Sequence, residues 1–94
     1  MERFMVVARF KPGTSWDDVM AVVPNEQRVV EELRKSDKLG QLYLATAARQ
    51  TVFLEIFARN QSEAEATVQT LPMARWWELD IFPLNAPAGI EVES

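Results

Sequence analysis

Glu26 sits among Val19, Val23, Val30 and Leu33, four apolar residues spaced as one side of an α-helix. On a continuous helix, at about 100° per residue, it lies about 20° from the direction of Val19, inside the stripe that would face a core. A carboxylate held there loses water, and its pKa rises unless a cation or a hydrogen bond compensates. Such a Glu is a general base suited to moving protons near neutral pH. Pro24 leaves a second reading open. It resets the helical phase and puts Glu26 in the first turn of a new helix, where the dipole favours negative charge. Tyr43, Trp76 and Trp77 would line the pocket that Glu26 faces, or fill plain core, the commoner fate of aromatic side chains. Glu78 and Asp80 share one face of the last apolar segment, which alternation on an edge strand explains better than a catalytic pair does.

The chemistry narrows further because the 94 residues include no His and no Cys. That removes an imidazole base, a thiolate nucleophile, a disulfide, His-ligated haem and the usual zinc sites. Carboxylates, Tyr, Lys, Arg and Ser/Thr remain, and no cofactor or metal is expected. A net charge of −4 without a Lys/Arg cluster offers little to a phosphate backbone, so nucleic acid is not an expected partner. No apolar run approaches the ~20 residues of a membrane span. Met1-Glu2-Arg3 leads directly into a strand-like segment without a cleavable signal, so cytoplasmic location is expected. With 48% hydrophobic and 26% charged residues the composition is that of a folded protein, expected as one domain over residues 1–94.

Several elements must position these groups. Residues 3–10 read as a strand ended by Lys11-Pro12-Gly13. Thr14 or Ser15 caps a helix in which Trp16, Val19, Met20 and Val23 share a face. Pro24 kinks or breaks it, and helix resumes to about Ser36, with Gly40 beyond the exit. Residues 41–47 and 50–58 form a hairpin whose turn is marked by Arg49. Ser62-Glu63-Ala64-Glu65 reads as a capping box for a helix with Ala64, Val68 and Leu71 on its apolar side, ending at Pro72. Residues 76–82 alternate as a last strand, followed by a tail over 85–94. The order βαββαβ, with right-handed crossovers, predicts an α+β, ferredoxin-like fold: a four-stranded antiparallel sheet with strands one and three central and both helices on one face.

The other face of that sheet is expected to need a cover. Phe4, Val6, Ala8 and Phe10 oppose Met5 and Val7, while Val52, Leu54 and Ile56 oppose Phe53 and Phe57, so the central strands are apolar on both sides. The uncovered side amounts to about 500 Å², large for a lone subunit and suited to face-to-face homodimerisation. Arg9 and Glu55, inside the central strands, either pair with each other or reach an edge or solvent.

Phe10-Lys11-Pro12-Gly13, Val23-Pro24-Asn25-Glu26, Glu55, Ser62-Glu63-Ala64, Leu71-Pro72-Met73 and Phe82-Pro83-Leu84, in this order over nearly the whole chain, carry a family resemblance. The sequence resembles the muconolactone isomerase-like group of dimeric α+β barrel proteins. The resemblance implies homodimers or higher homo-oligomers joined through the sheet, a pocket between sheet and helices, and no metal or organic cofactor. It also implies proton transfer between carbons of a small unsaturated lactone, with Glu26 matching a glutamate of the family's helix. Glu26 would then be the base, Tyr43 or Arg49 the donor to an enolate oxygen, and Trp76 and Trp77 further contacts to substrate. The alternative is a non-catalytic member that binds a small hydrophobic ligand or only self-assembles. A third reading, by fold alone, is a cofactor-independent oxygenase.

Overall fold

Alternation in β1 (Glu2–Phe10) sends Phe4, Val6, Ala8 and Phe10 into the interior, where all four are buried. Lys11-Pro12-Gly13 turns the chain, with Gly13 at φ 81°, a region open to glycine without penalty. The computed structural model describes residues 1–85, so the expected tail lies, apart from Asn85, outside the described residues. After β1 come α1 (Trp16–Ala21), α2 (Val23–Lys35), β2 (Leu39–Ala45), the single turn α3 (Thr46–Arg49) and β3 (Thr51–Ala58). Next follow α4 (Gln61–Gln69), a 3-10 turn (Pro72–Trp76) and β4 (Trp77–Pro83). The sheet order is β2-β3-β1-β4 with every neighbouring pair antiparallel, which is the ferredoxin-like arrangement. Among the described residues the four strands form an open sheet that closes no barrel.

Among the described residues, helices cover one face only. Against it pack Val19, Leu33, Ala64, Val68 and Leu71, facing Val6, Leu54 and Ile56 from the central strands. Pro24 occupies the first turn of α2, where its missing N–H leaves no helical bond unmade. It therefore begins a helix rather than kinking one, and the chain breaks between α1 and α2 at Val22. The buried face expected for Trp16, Val19 and Met20 is corrected as well: α1 is a single short helix that buries Val19 alone, Met20 is 64% exposed, and Trp16 packs on Phe10 with tilted rings, centroids 4.9 Å apart. The cap of α4 also moves two residues earlier. Asn60 Oδ1 accepts the Glu63 N–H at 2.9 Å, and Glu63 reaches back to the Arg59 N–H.

Gly40 lies beyond the helix exit, in β2, and Asp37 at that exit takes the left-handed conformation at φ 57°. The lack of a side chain at Gly40 makes room for Glu55, whose Oε1 accepts the Gln41 N–H at 3.0 Å and whose other oxygen faces Arg3 at 3.4 Å. A Cβ on Gly40 would collide with that carboxylate and come within 3.0 Å of the Phe57 ring. Gly40→Ala is therefore expected to cost about 1–2 kcal/mol, seen as a lower denaturant midpoint at unchanged slope.

The uncovered face carries Met5, Val7, Tyr43, Phe53, Phe57 and Phe82, with Tyr43 56% and Phe82 51% exposed. Arg9 and Glu55 do not pair with each other. Arg9 bonds Asp80 on the neighbouring edge strand, and Glu55 turns to Arg3. Glu78 lies opposite Arg9 in register, so both acidic residues of β4 stand beside the same β1 cation.

Candidate functional site

Most of the length of α2, residues of β2 and β3, and the segment from the Pro72–Trp76 turn into β4 border a cleft of about 770 Å³, within the range of small-molecule sites. One side of it is apolar, with Val30, Leu42, Val52, Met73 and Trp77. Arg28, Glu31 and Arg34 of α2 also line it. Glu26 is at this cleft because Pro24 starts the helix and the Glu26 N–H bonds the Val22 carbonyl at 2.8 Å, fixing the residue in the first turn. Both sequence readings of Glu26 meet here, since the first turn of α2 is also a core-facing position.

Glu26 as a residue is only 8% exposed. Oε1 accepts the Met73 N–H at 3.0 Å, a donor left free because Pro72 opens the 3-10 turn and the first amides of such a turn have no internal partner. Burial pushes the Glu26 pKa above its ordinary value of 4.5, and the Met73 hydrogen bond offsets this in part. Among the described residues no cation pairs with it. Arg28 is engaged by Glu32 at 2.8 Å, and Arg34 Nε reaches the Gly40 carbonyl at 3.4 Å.

A raised pKa in the folded state means that folded protein holds this proton more tightly than the unfolded chain does. Stability therefore falls as pH rises from the ordinary carboxylate value through the raised one, and the penalty persists above it. Glu26→Gln keeps an acceptor for the Met73 N–H and removes the charge. Thermal melts from about pH 4 to about pH 8 are expected to show the variant gaining on the wild type across that window and staying above it thereafter.

Of the other residues singled out from sequence, Trp77 alone joins Glu26 at the cleft. It is 5% exposed, edge-on to Phe10 at 82°, and its Nε1–H is buried with no acceptor among the described residues. An orphaned buried donor of this kind costs about 1–3 kcal/mol. Tyr43 is corrected: it pairs opposite Phe53 and points to the uncovered face, because strand parity sends Leu42 and Leu44 towards the cleft. Arg49, in α3, borders a separate shallow depression with Val7, Arg9 and Phe53 on that same far face. Trp76 lies in the 3-10 turn beneath Arg75, 5.0 Å from its ring centre, and does not line the cleft.

Sequence reasoning missed Met73, Arg28, Arg34 and the pair Leu42/Leu44. Pro72 was the signal for Met73, since a proline-led turn offers a free amide to a nearby acceptor. Arg28, Glu31 and Arg34 recur every third residue along the flank of α2, a spacing that marks one side of a helix without saying what it borders. Among the described residues no three His, Cys, Asp or Glu side chains gather as metal ligands do. No helix among them is long and apolar enough to cross a membrane.

The helices and the four-stranded antiparallel sheet together make this a ferredoxin-like α+β protein. Within that class, the chain has the fold of muconolactone isomerase: a crystal structure of that enzyme aligns with a TM-score of 0.72 at 13% identity, over 97% of each chain. At that identity the likeness establishes fold alone. No protein-family model matches the chain, and no curated protein matches its sequence.

Proposed function

We propose that the cleft catalyses a cofactor-independent isomerisation of the muconolactone isomerase type, moving a proton within a small unsaturated lactone or related carbonyl compound. The observation that carries this reading is the desolvated Glu26 carboxylate in an apolar cleft of substrate size. Glu26 takes a proton from the carbon next to the carbonyl, and the C–H electron pair moves into the ring to leave negative charge on the carbonyl oxygen. The carboxylic acid so formed exchanges its proton with water at the cleft mouth and protonates the far carbon of the conjugated system, and Glu26 ends as it began. Burial strengthens the base, and the Met73 amide holds one oxygen in place so that the other serves the substrate.

The reading extends to a homodimer, or a higher homo-oligomer, joined through the uncovered sheet face, closing a barrel between two subunits. Its support is the contiguous Tyr43, Phe53, Val7 and Met5 surface, which at about 25 cal/mol per Å² over about 500 Å² is worth on the order of 10 kcal/mol gross per subunit. One domain over residues 1–94 and a cytoplasmic location complete the proposal.

A second reading is favoured by the same Met73 bond, which gives Glu26 a purely structural role. In that reading it ties the 3-10 turn to α2 in a protein that binds a small hydrophobic ligand without changing it. The two part on one assay. An unsaturated lactone whose double bond lies out of conjugation, incubated with the protein, is expected to gain the ultraviolet absorbance of its conjugated isomer. Binding without any such gain over buffer leaves the ligand-binding reading.

A further inference from the structure

We propose that Glu55, on the sheet face away from the cleft, is a positioning residue that decides what the cleft's β2 wall is made of. It holds a one-residue bulge at Gly40-Gln41 that turns Leu42 and Leu44, in place of Gln41 and Tyr43, towards the cleft. This deepens the small-molecule reading of the cleft and rests on it only for the effect on ligands. Between the pairs Leu39↔Ile56 and Leu42↔Leu54 the chain advances three residues along β2 and two along β3, so β2 carries one extra residue. In a regular strand Leu39 and Leu42 would lie on opposite faces. The extra residue lets both face the helices, Leu39 buried in the core and Leu42 packed against that core as cleft wall.

Glu55 is fitted to this bulge. Its Oε1 accepts the Gln41 N–H at 3.0 Å, in the space that Gly40 leaves by having no side chain, and its other oxygen lies 3.4 Å from Arg3 Nη1. The carbonyl of the same Gly40-Gln41 peptide accepts from Arg34 Nε of α2 at 3.4 Å. A side chain thus holds each polar end of the peptide unit at the bulge.

Without the bulge, one end of β2 must slip by one residue. Leu39 is fixed by burial and by its neighbour Lys38, whose carbonyl accepts the Phe57 N–H at 3.0 Å, whereas Tyr43 and Leu44 are exposed. The later half is therefore the part that moves. A regular ladder continued from Leu39↔Ile56 sets Gln41 opposite Leu54 and Tyr43 opposite Val52, the places that Leu42 and Leu44 hold. That register puts an amide and a phenol on the cleft wall, where the observed one has two leucines and suits the apolar body of a ligand. Leu42, Tyr43 and Leu44 are all apolar or aromatic, so hydrophobicity alone does not choose between the registers, and the Glu55 hydrogen bond does.

Side-chain contacts measured by NMR test this without any ligand. In the wild type the Tyr43 ring is expected to contact the Phe53 ring, and the Leu44 methyls the Val52 methyls. Glu55→Leu removes the acceptor at similar size, and it is expected to lose the Tyr43–Phe53 contact and gain one between Tyr43 and Val52. Glu55→Gln keeps an acceptor oxygen and is expected to keep the wild-type contacts. Deleting Gln41 from Glu55→Leu takes out the extra residue itself, and is expected to return Leu42 and Leu44 to the cleft, a rescue that a general loss of stability would not allow. Cyclopentene, an apolar probe, is expected to shift the Leu42 and Leu44 methyl signals in the wild type and the deletion variant and to lose that effect in Glu55→Leu. Wild-type contacts in Glu55→Leu overturn the proposal, because the hairpin then fixes the register by itself. Where Glu55→Leu does not fold, the Gln41 deletion is expected to restore folding, and its failure to do so overturns the proposal equally. Absence of isomerisation by the wild type removes the isomerase reading and leaves these contacts, and the role of Glu55, standing.

Discussion

Glu26→Gln is expected to lower isomerisation of an unsaturated lactone by about 10²–10⁴-fold, the usual contribution of a positioned general base. The loss should fall on kcat with little change in KM, because Gln fills the same space and still accepts the Met73 amide. Wild-type activity should rise with pH along a single limb whose midpoint lies above 4.5, since desolvation raises the Glu26 pKa and only the ionised form accepts a proton. That limb should vanish in the variant. Glu26→Asp is expected to retain a fraction of the activity, because the shorter carboxylate stays in the cleft at a longer reach. An unchanged kcat in Glu26→Gln would assign Glu26 to tethering the Pro72–Trp76 turn and nothing more.

The second large effect concerns assembly. Phe53 lies in the middle of the uncovered face, in register with Val7 on one side and Tyr43 on the other. Phe53→Glu would place an unpaired charge at the centre of a dry sheet-to-sheet contact, a loss of several kcal/mol. Sedimentation equilibrium is expected to give twice the monomer mass for the wild type and the monomer mass for Phe53→Glu at the same concentration. Circular dichroism should remain that of a folded sheet, because the residues that hold the helices, Val6, Leu54 and Ile56, point the other way. A wild-type protein that stays monomeric at high micromolar concentration would rule out the dimer.

The fold was legible because its signals are local and mutually consistent. Two-residue alternation in β1 and β3 sorted Phe4, Val6, Leu54 and Ile56 to one side and Val7 and Phe53 to the other, and the structure keeps that sorting. Helix phase was harder to read across Pro24. The spacing gave Trp16 and Met20 a buried face that the short helix α1 grants to Val19 alone, yet extending the helix through Pro24 still placed Glu26 inward, because the first turn of α2 is also a buried position.

The site was legible only where one element decides it. Trp77 and Glu26 meet through a 3-10 turn that tells in the sequence only as Leu-Pro-Met, so their common cleft depends on tertiary packing that no periodicity encodes. Tyr43 shows the limit from the other side. Leu42, Tyr43 and Leu44 are all apolar or aromatic, so β2 carries no alternation to say which of them faces the helices. Only the register with β3 fixes Leu42 and Leu44 as the cleft-facing residues.

Deuterium uptake from heavy water into an unsaturated lactone tests the central claim most directly, because it registers carbon–proton exchange even where the overall equilibrium hides turnover. Wild-type protein should place deuterium on the carbons at both ends of the conjugated system far faster than buffer does, and Glu26→Gln should not. A lactone shown by NMR to occupy the cleft, yet taking up no deuterium beyond the buffer rate, would contradict the assignment of Glu26 as a base.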